Sequence, residues 1–166
     1  MAERRLTVGA AAPPFALNTS DGATVRLSEF RGKRVVLYFY PKDDTPGCTK
    51  EACSFRDELG QFTKAGAVVL GVSADDVASH QRFAGKFDLN FPLLSDPGAS
   101  VCKAYGVYKR KSMYGRTYWG IERTTFIIDE RGRLTAVFPK VRVDGHAQDV
   151  LQHLRADGRS ALQSPH

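Results

Sequence analysis

Two cysteines stand five residues apart in the stretch Thr45-Pro46-Gly47-Cys48-Thr49-Lys50-Glu51-Ala52-Cys53, just after an apolar run that ends at Tyr40. Thr45 and Pro46 have the residue types of a helix N-cap and first helical position, which places Cys48 in the first turn. There the unpaired backbone N–H groups and the positive end of the helix dipole favour an anion, and a thiolate is such an anion. The Thr45 hydroxyl, three residues earlier, is in reach of the sulfur or of an incoming oxygen. Taken singly, Thr45 reads as a cap and Cys48 as a small buried residue. Together, at a strand-to-helix junction, they read as a reactive thiol.

Cys53 constrains the chemistry further. Two residues so spaced in an intact helix lie about 8–9 Å apart at Cα, whereas a disulfide needs roughly 7 Å or less. If the pair bonds, the first turns of the helix must unwind. That separates the stretch from a Cys-x-x-Cys oxidoreductase, whose pair bridges in place. A zinc site is disfavoured, because two cysteines lack a second ligand pair at metal-site spacing. His80, His146, His153 and His166 form no such pattern and read as surface or helix-face residues.

The elements that must hold these residues follow from periodicity. Phe15–Leu27, with a turn at Asp21-Gly22, reads as a β-hairpin. The apolar runs at 35–40 and 67–73 read as strands buried on both faces. Residues 123–129 and 134–138 read as two strands joined by the turn Glu130-Arg131-Gly132. A helix is expected from Thr45-Pro46 to Ala65, with Gly66 as its stop. Others are expected over Val77–Phe87, from Asp96-Pro97 to Tyr105, and through Ala147–Leu154. This order predicts an α/β fold: a central mixed sheet, helices on both faces, an N-terminal β-hairpin and a strand pair at an edge.

Composition narrows the class. With 166 residues, 42% of them hydrophobic and 25% charged, the chain suits a single globular domain with its core over 6–156 and a flexible tail over 157–166. No apolar stretch approaches the roughly 18 to 20 residues that span a bilayer, and no secretory signal is read at the N-terminus, so a cytoplasmic protein is expected. The net charge of +6 is local. Residues 1–100 balance twelve basic with twelve acidic side chains, whereas 101–143 carry ten and three. That segment, densest at Lys109-Arg110-Lys111 and Arg116, reads as a solvated basic loop without a nucleic-acid module around it. A binding module that engages an acidic partner or nucleic acid through it is the competing class, and a disulfide reductase a third.

At this point the string TPGCTKEACSFRD and the pattern Pro41-x-x-x-Thr45-x-x-Cys48 resemble the active-site signature of the peroxiredoxins, in particular the peroxiredoxin Q or bacterioferritin comigratory protein branch. The resemblance runs from Val8 to about Leu154. It implies a thioredoxin-like fold and a thiol peroxidase that reduces hydrogen peroxide and organic hydroperoxides, with no metal or organic cofactor. By position it makes Cys48 the peroxidatic cysteine, Cys53 the resolving one, and Thr45 and Pro41 loop residues of the pocket. Arg123 matches the arginine that completes the pocket, although by itself it reads as a surface residue opening an edge strand. Glu51 matches an acid or amide that helps hold the site. Thioredoxin or glutaredoxin is the implied reductant and a monomer the implied state. Cys102 matches a cysteine without a catalytic role and reads as a buried, inert thiol. The helix over 76–87, where some relatives place the resolving cysteine, has none here.

Overall fold

In the computed structural model, which describes residues 6–163, the apolar run at 35–40 becomes the centre of the molecule. The chain order is β1 (Ala16–Thr19), β2 (Thr24–Arg26), β3 (Arg34–Phe39), α1 (Pro46–Asp57), α2 (Leu59–Lys64), β4 (Ala67–Ser73), α3 (Val77–Lys86) and β5 (Leu93–Ser95). It continues with α4 (Ser100–Ala104), β6 (Tyr108–Met113), β7 (Arg116–Ile121), β8 (Thr124–Ile128), β9 (Leu134–Phe138) and α5 (His146–Gln163). Seven strands form one sheet in the order β2-β1-β5-β4-β3-β8-β9. Strand β3 runs parallel to β4 and β4 to β5; the other pairings are antiparallel, so the sheet is mixed as expected.

Alternation along β3 divides the core in two. Val35, Leu37 and Phe39 face a cluster with Cys102 and Tyr105 from the α4 region. Val36, Tyr38 and Tyr40 face Cys48, Ala52 and Phe55 of α1, Phe62 of α2, Phe83 of α3 and Val150 and Leu154 of α5. Both faces of β3 are therefore shielded, which is why its sequence is apolar without a break.

Three expectations need correction. The helix expected over Thr45–Ala65 is two helices, parted at Glu58 (φ −99°, ψ 4°); nearby Gly60 lowers the propensity to continue. The basic segment read as a solvated loop contains the β6–β7 hairpin, closed by Tyr114 (φ 52°) and Gly115 (φ 76°). Both central residues have the positive φ of a type I′ turn. Its strands are mostly exposed on both faces, so no hydrophobic alternation marks them. Strand β5, three residues long and wholly buried, is too short to carry a period. Helix α5 runs on to Gln163, and residues 164–166 of the expected tail, with His166, lie outside the described residues.

Candidate active site

The loop between β3 and α1 is built from the carboxylate of Asp43. Its oxygens accept from the Tyr40 hydroxyl (2.6 Å) and the Ser79 hydroxyl (2.8 Å), and one lies 2.6 Å from Nδ1 of His80. The Asp43 N–H donates to Asp75 (2.8 Å), which also takes the Ser73 hydroxyl (2.7 Å). Nε2 of His80 lies 3.0 Å from the Leu94 carbonyl. Both ring nitrogens thus lie within hydrogen-bond distance of an oxygen. Burial works against the Asp43 charge, but His80, Tyr40 and Ser79 overcome it and hold the carboxyl below its usual value. Ligating atoms of Asp43, Asp75 and His80 lie within 4.8 Å of one another, but the hydrogen bonds of the loop already occupy them. This network ties the loop to β4, α3 and β5.

From that anchor the chain enters α1 at Pro46, with Thr45 at the N-cap position. The Thr45 side chain makes no capping bond; its hydroxyl donates to the Lys42 carbonyl (2.9 Å). The Thr45 carbonyl takes the N–H of Thr49 (2.8 Å), so the N–H groups of Gly47 and Cys48 precede the ladder of the helix. Cys48 sits there, 1% exposed. Pro41 is exposed at the start of the loop.

The cation beside the sulfur arrives from the far side of the sequence. Strand β8 pairs antiparallel with β3, with Phe39 opposite Thr124, so the residue before Thr124 lies where β3 gives way to the loop. That residue is Arg123. Its Nη2 donates to the Cys48 sulfur at 3.3 Å and its Nη1 to Glu51 Oε1 at 2.6 Å. Strand β8 is internal to the sheet and the Arg123 side chain is 16% exposed; the local reading, a surface arginine on an edge strand, fails on both counts. Gly47 makes the approach possible, since a Cβ there would sit 3.1 Å from Nη2.

Glu51 lies one turn beyond Cys48, 1% exposed, with Oε2 lacking a hydrogen-bond partner. Burial pushes its carboxyl up to about 7, against the pull of Arg123. Beneath it Tyr38 stacks on Phe55 (4.8 Å between ring centres), its hydroxyl buried without a partner over Gly71. Burial, then the charges of Glu51 and Cys48, push that phenol well above its ordinary range.

Cys53 remains on the same continuous helix, partly exposed and unbonded. Cys102 is fully buried. Burial and then Asp96, whose carboxylate takes the Cys102 N–H (2.8 Å), push its thiol far up. His80 and His146, read as surface or helix-face residues, lie on helices α3 and α5 with their side chains buried. His80 has acceptors on both sides, and His146 meets the Thr125 hydroxyl (2.8 Å) and stands edge-on to Phe55 and Phe138. His153, 34% exposed, pairs with Asp157 along α5. The supporting set Asp43, Asp75, His80, Gly47 and Tyr38 is not legible in the sequence, because no fixed spacing links residues on three elements and two loops.

The chain is similar to known proteins along most of its length. The model of the AhpC/TSA family matches residues 8–137. A putative peroxiredoxin bcp of Coxiella burnetii is 56% identical over 149 residues, covering 90% of this chain and 99% of the relative. The peroxiredoxin Bcp of Bacillus subtilis is 46% identical over 150 residues, covering 90% and 96%. Among solved structures, the bacterioferritin comigratory protein of Xanthomonas campestris, described for its alkyl peroxide reduction, superposes with a TM-score of 0.85 at 44% identity, covering 92% of this chain and 97% of that one. A mutant of Xylella fastidiosa peroxiredoxin Q gives 0.89 at 40% identity, covering 93% and 99%. Fold and similarity together define a thioredoxin-like thiol peroxidase. The chain belongs to the AhpC/TSA family and, within it, to the peroxiredoxin Q or bacterioferritin comigratory protein branch.

Proposed function

We propose that Cys48 is the attacking thiol of this peroxidase and that Arg123, Thr45, Pro41 and Glu51 complete its pocket. The observation that carries the reading is the Arg123 guanidinium 3.3 Å from a sulfur held in the first turn of α1. The thiolate attacks the terminal oxygen of a hydroperoxide. The O–O bond breaks, the sulfur is oxidised to a sulfenic acid, and the other oxygen leaves as water or an alcohol once it takes a proton. Thiolate character alone does not make the step fast, because nucleophilicity falls with basicity. Arg123 and the unpaired N–H groups of the first turn supply donors where negative charge develops on the peroxide oxygens. Thr45 accepts the peroxide proton in a hydrogen bond, Pro41 shields the sulfenate, and Glu51 fixes the guanidinium.

Cys53 then attacks the sulfenic sulfur, releasing water and leaving a Cys48–Cys53 disulfide. With both residues on one helix, the first turns of α1 unwind for this step. A locally strained, exposed disulfide is readily reduced by a dithiol protein, for which thioredoxin, or else glutaredoxin, fits the family. No metal or organic cofactor takes part, Cys102 is a bystander, and the protein works as a single-domain monomer. A reducing compartment such as the cytoplasm suits a cycle that returns its thiols to the free state.

Stopped-flow oxidation followed by peptide mass spectrometry tests the assignment. Cys48→Ser abolishes peroxide consumption, and a variant with near-normal turnover sinks the reading. Cys53→Ser consumes one equivalent of peroxide and then stalls with thioredoxin. Oxidised wild-type protein yields a Cys48–Cys53 bridge; a Cys48–Cys102 bridge would move the resolving role.

A further inference from the structure

Apart from Val8, the exposed large hydrophobic side chains of the described residues all lie on the β6–β7 hairpin: Met113, Tyr114 (97% exposed), Tyr118 and Trp119. Between Tyr108 and Ile121 the sequence carries four Lys and Arg residues and no acid. Tyrosine, tryptophan, methionine and arginine together are the composition of an interface centre rather than of an ordinary solvated surface.

Among the described residues the hairpin joins no other strand. Its base is held by buried Ile121, by Trp119 stacked on Tyr108 (5.8 Å, 14° between planes) and by the Lys103 ammonium over the Tyr108 ring. Cross-strand pairing puts Lys111 opposite Tyr118, and Met113 opposite Arg116, so these four share one face. That face adjoins the peroxidase site. Strand β7 ends two residues before Arg123, and the Lys111 ammonium folds back onto the Ile121 carbonyl. Burial pushes that ammonium down, and it lies close enough to feel the charges of Glu122, Arg123 and Cys48.

The charge selects the occupant. A second copy of a chain with net charge +6 brings the same basic hairpin with it; an acidic partner is attracted. We propose that the β6–β7 hairpin is the docking face for the acidic dithiol protein that reduces the Cys48–Cys53 disulfide. This rests on the reductant reading given above. A thiolate of the docked protein attacks one sulfur of the bridge to form a mixed disulfide, and its second thiol then displaces that sulfur. Two electrons pass, both cysteines return as thiols, and the partner leaves as a disulfide.

The test is steady-state turnover with thioredoxin, thioredoxin reductase and NADPH, comparing wild-type protein with Arg116→Glu, which reverses a charge on that face, and with Tyr114→Ser. Charge reversal raises the KM for thioredoxin roughly tenfold and removes its dependence on salt; Tyr114→Ser raises it less and keeps that dependence. The rate of the first peroxide oxidation and the reduction by dithiothreitol stay at wild-type values in both. An unchanged KM for thioredoxin overturns the docking face while leaving the reductant reading intact. Wild-type protein that cycles with dithiothreitol but not with thioredoxin overturns the reductant reading, and the docking face with it. If the hairpin charges instead govern salt-dependent binding of a single-stranded oligonucleotide, or dimer formation in sedimentation, with no change in that KM, the face belongs to another occupant and the proposal fails.

Discussion

At the scale of single residues, the site depends on one missing side chain and one displaced ionisation. Gly47 leaves the space through which Arg123 reaches Cys48, and a Cβ there would stand 3.1 Å from Nη2. Gly47→Ala therefore obliges the guanidinium to give way by a few tenths of an ångström while leaving α1 its backbone. On the proposed role of Arg123, single-turnover peroxide oxidation should slow roughly threefold to tenfold, less than for a full ångström of misplacement, with the unfolding midpoint little changed. An unchanged oxidation rate would show that Arg123 needs no such approach. Glu51 carries the displaced ionisation, with its carboxyl raised by burial to about 7 from an ordinary 4.5. The Arg123 clamp becomes a full ion pair as the carboxyl ionises through that value. The wild-type oxidation rate should accordingly rise through about pH 7, and Glu51→Gln, which holds Arg123 by an amide oxygen at every pH, should lose that inflection. Its persistence in the variant would assign it to another group. The sign for stability is opposite. The unfolded chain releases this proton near 4.5 and the folded one holds it to about 7, so stability falls as pH rises through that window and is level above it.

At the scale of elements, the loop and the helix that follows it have contrasting constraints. Residues 41–45 are anchored by the buried Asp43 carboxylate, to which Tyr40, Ser79 and His80 are bonded. The first turn of α1 has no side-chain cap. Unwinding of that turn, which a Cys48–Cys53 bond requires, can therefore proceed against a fixed anchor. Asp43→Asn takes away the carboxylate to which Tyr40, Ser79 and His80 are bonded and should cost about 1–3 kcal/mol, the usual effect of leaving buried groups without their hydrogen-bond partner. Urea denaturation at neutral pH reads this out; a loss below about 0.5 kcal/mol, typical of surface substitutions, would mean that the network does not hold the loop.

At the scale of the molecule, His146 joins layers that the sequence keeps apart. It begins α5, bonds Thr125 of β8, and stands edge-on to Phe55 of α1 and Phe138 of β9. Burial lowers it to about 4 from 6.5. An unfolded chain takes up this proton near 6.5 and the folded one refuses it until about 4, so stability present above 6.5 is lost as pH falls through that window. The loss is on the order of 3 kcal/mol. The difference in unfolding free energy between wild-type protein and His146→Asn, followed from pH 7.5 to 4.5, isolates this slope from the opposite one of Glu51. A flat difference would mean that His146 takes up its proton at the same pH in the fold as in the unfolded chain.

Composition, periodicity and motif carried much of this protein. The unbroken apolar run at 35–40, the helix start at Thr45-Pro46 and the five-residue spacing of Cys48 and Cys53 are local facts, fixed by short-range sterics and by the 3.6-residue turn. They were legible before any coordinates. So was the family resemblance, which supplied Arg123 and Glu51 where spacing alone pointed to neither. Tertiary structure decided what depends on distant segments meeting. Pairing of β3 with β8 brings Arg123 to Cys48 across 75 residues, and the packing of α3 under the loop makes the helix-face His80 a buried anchor. The basic segment shows no alternation because both faces of its hairpin meet solvent, so only the folded chain reveals it as a projecting pair of strands. Hydrophobic burial writes its period into a sequence; long-range polar contacts leave no period to read.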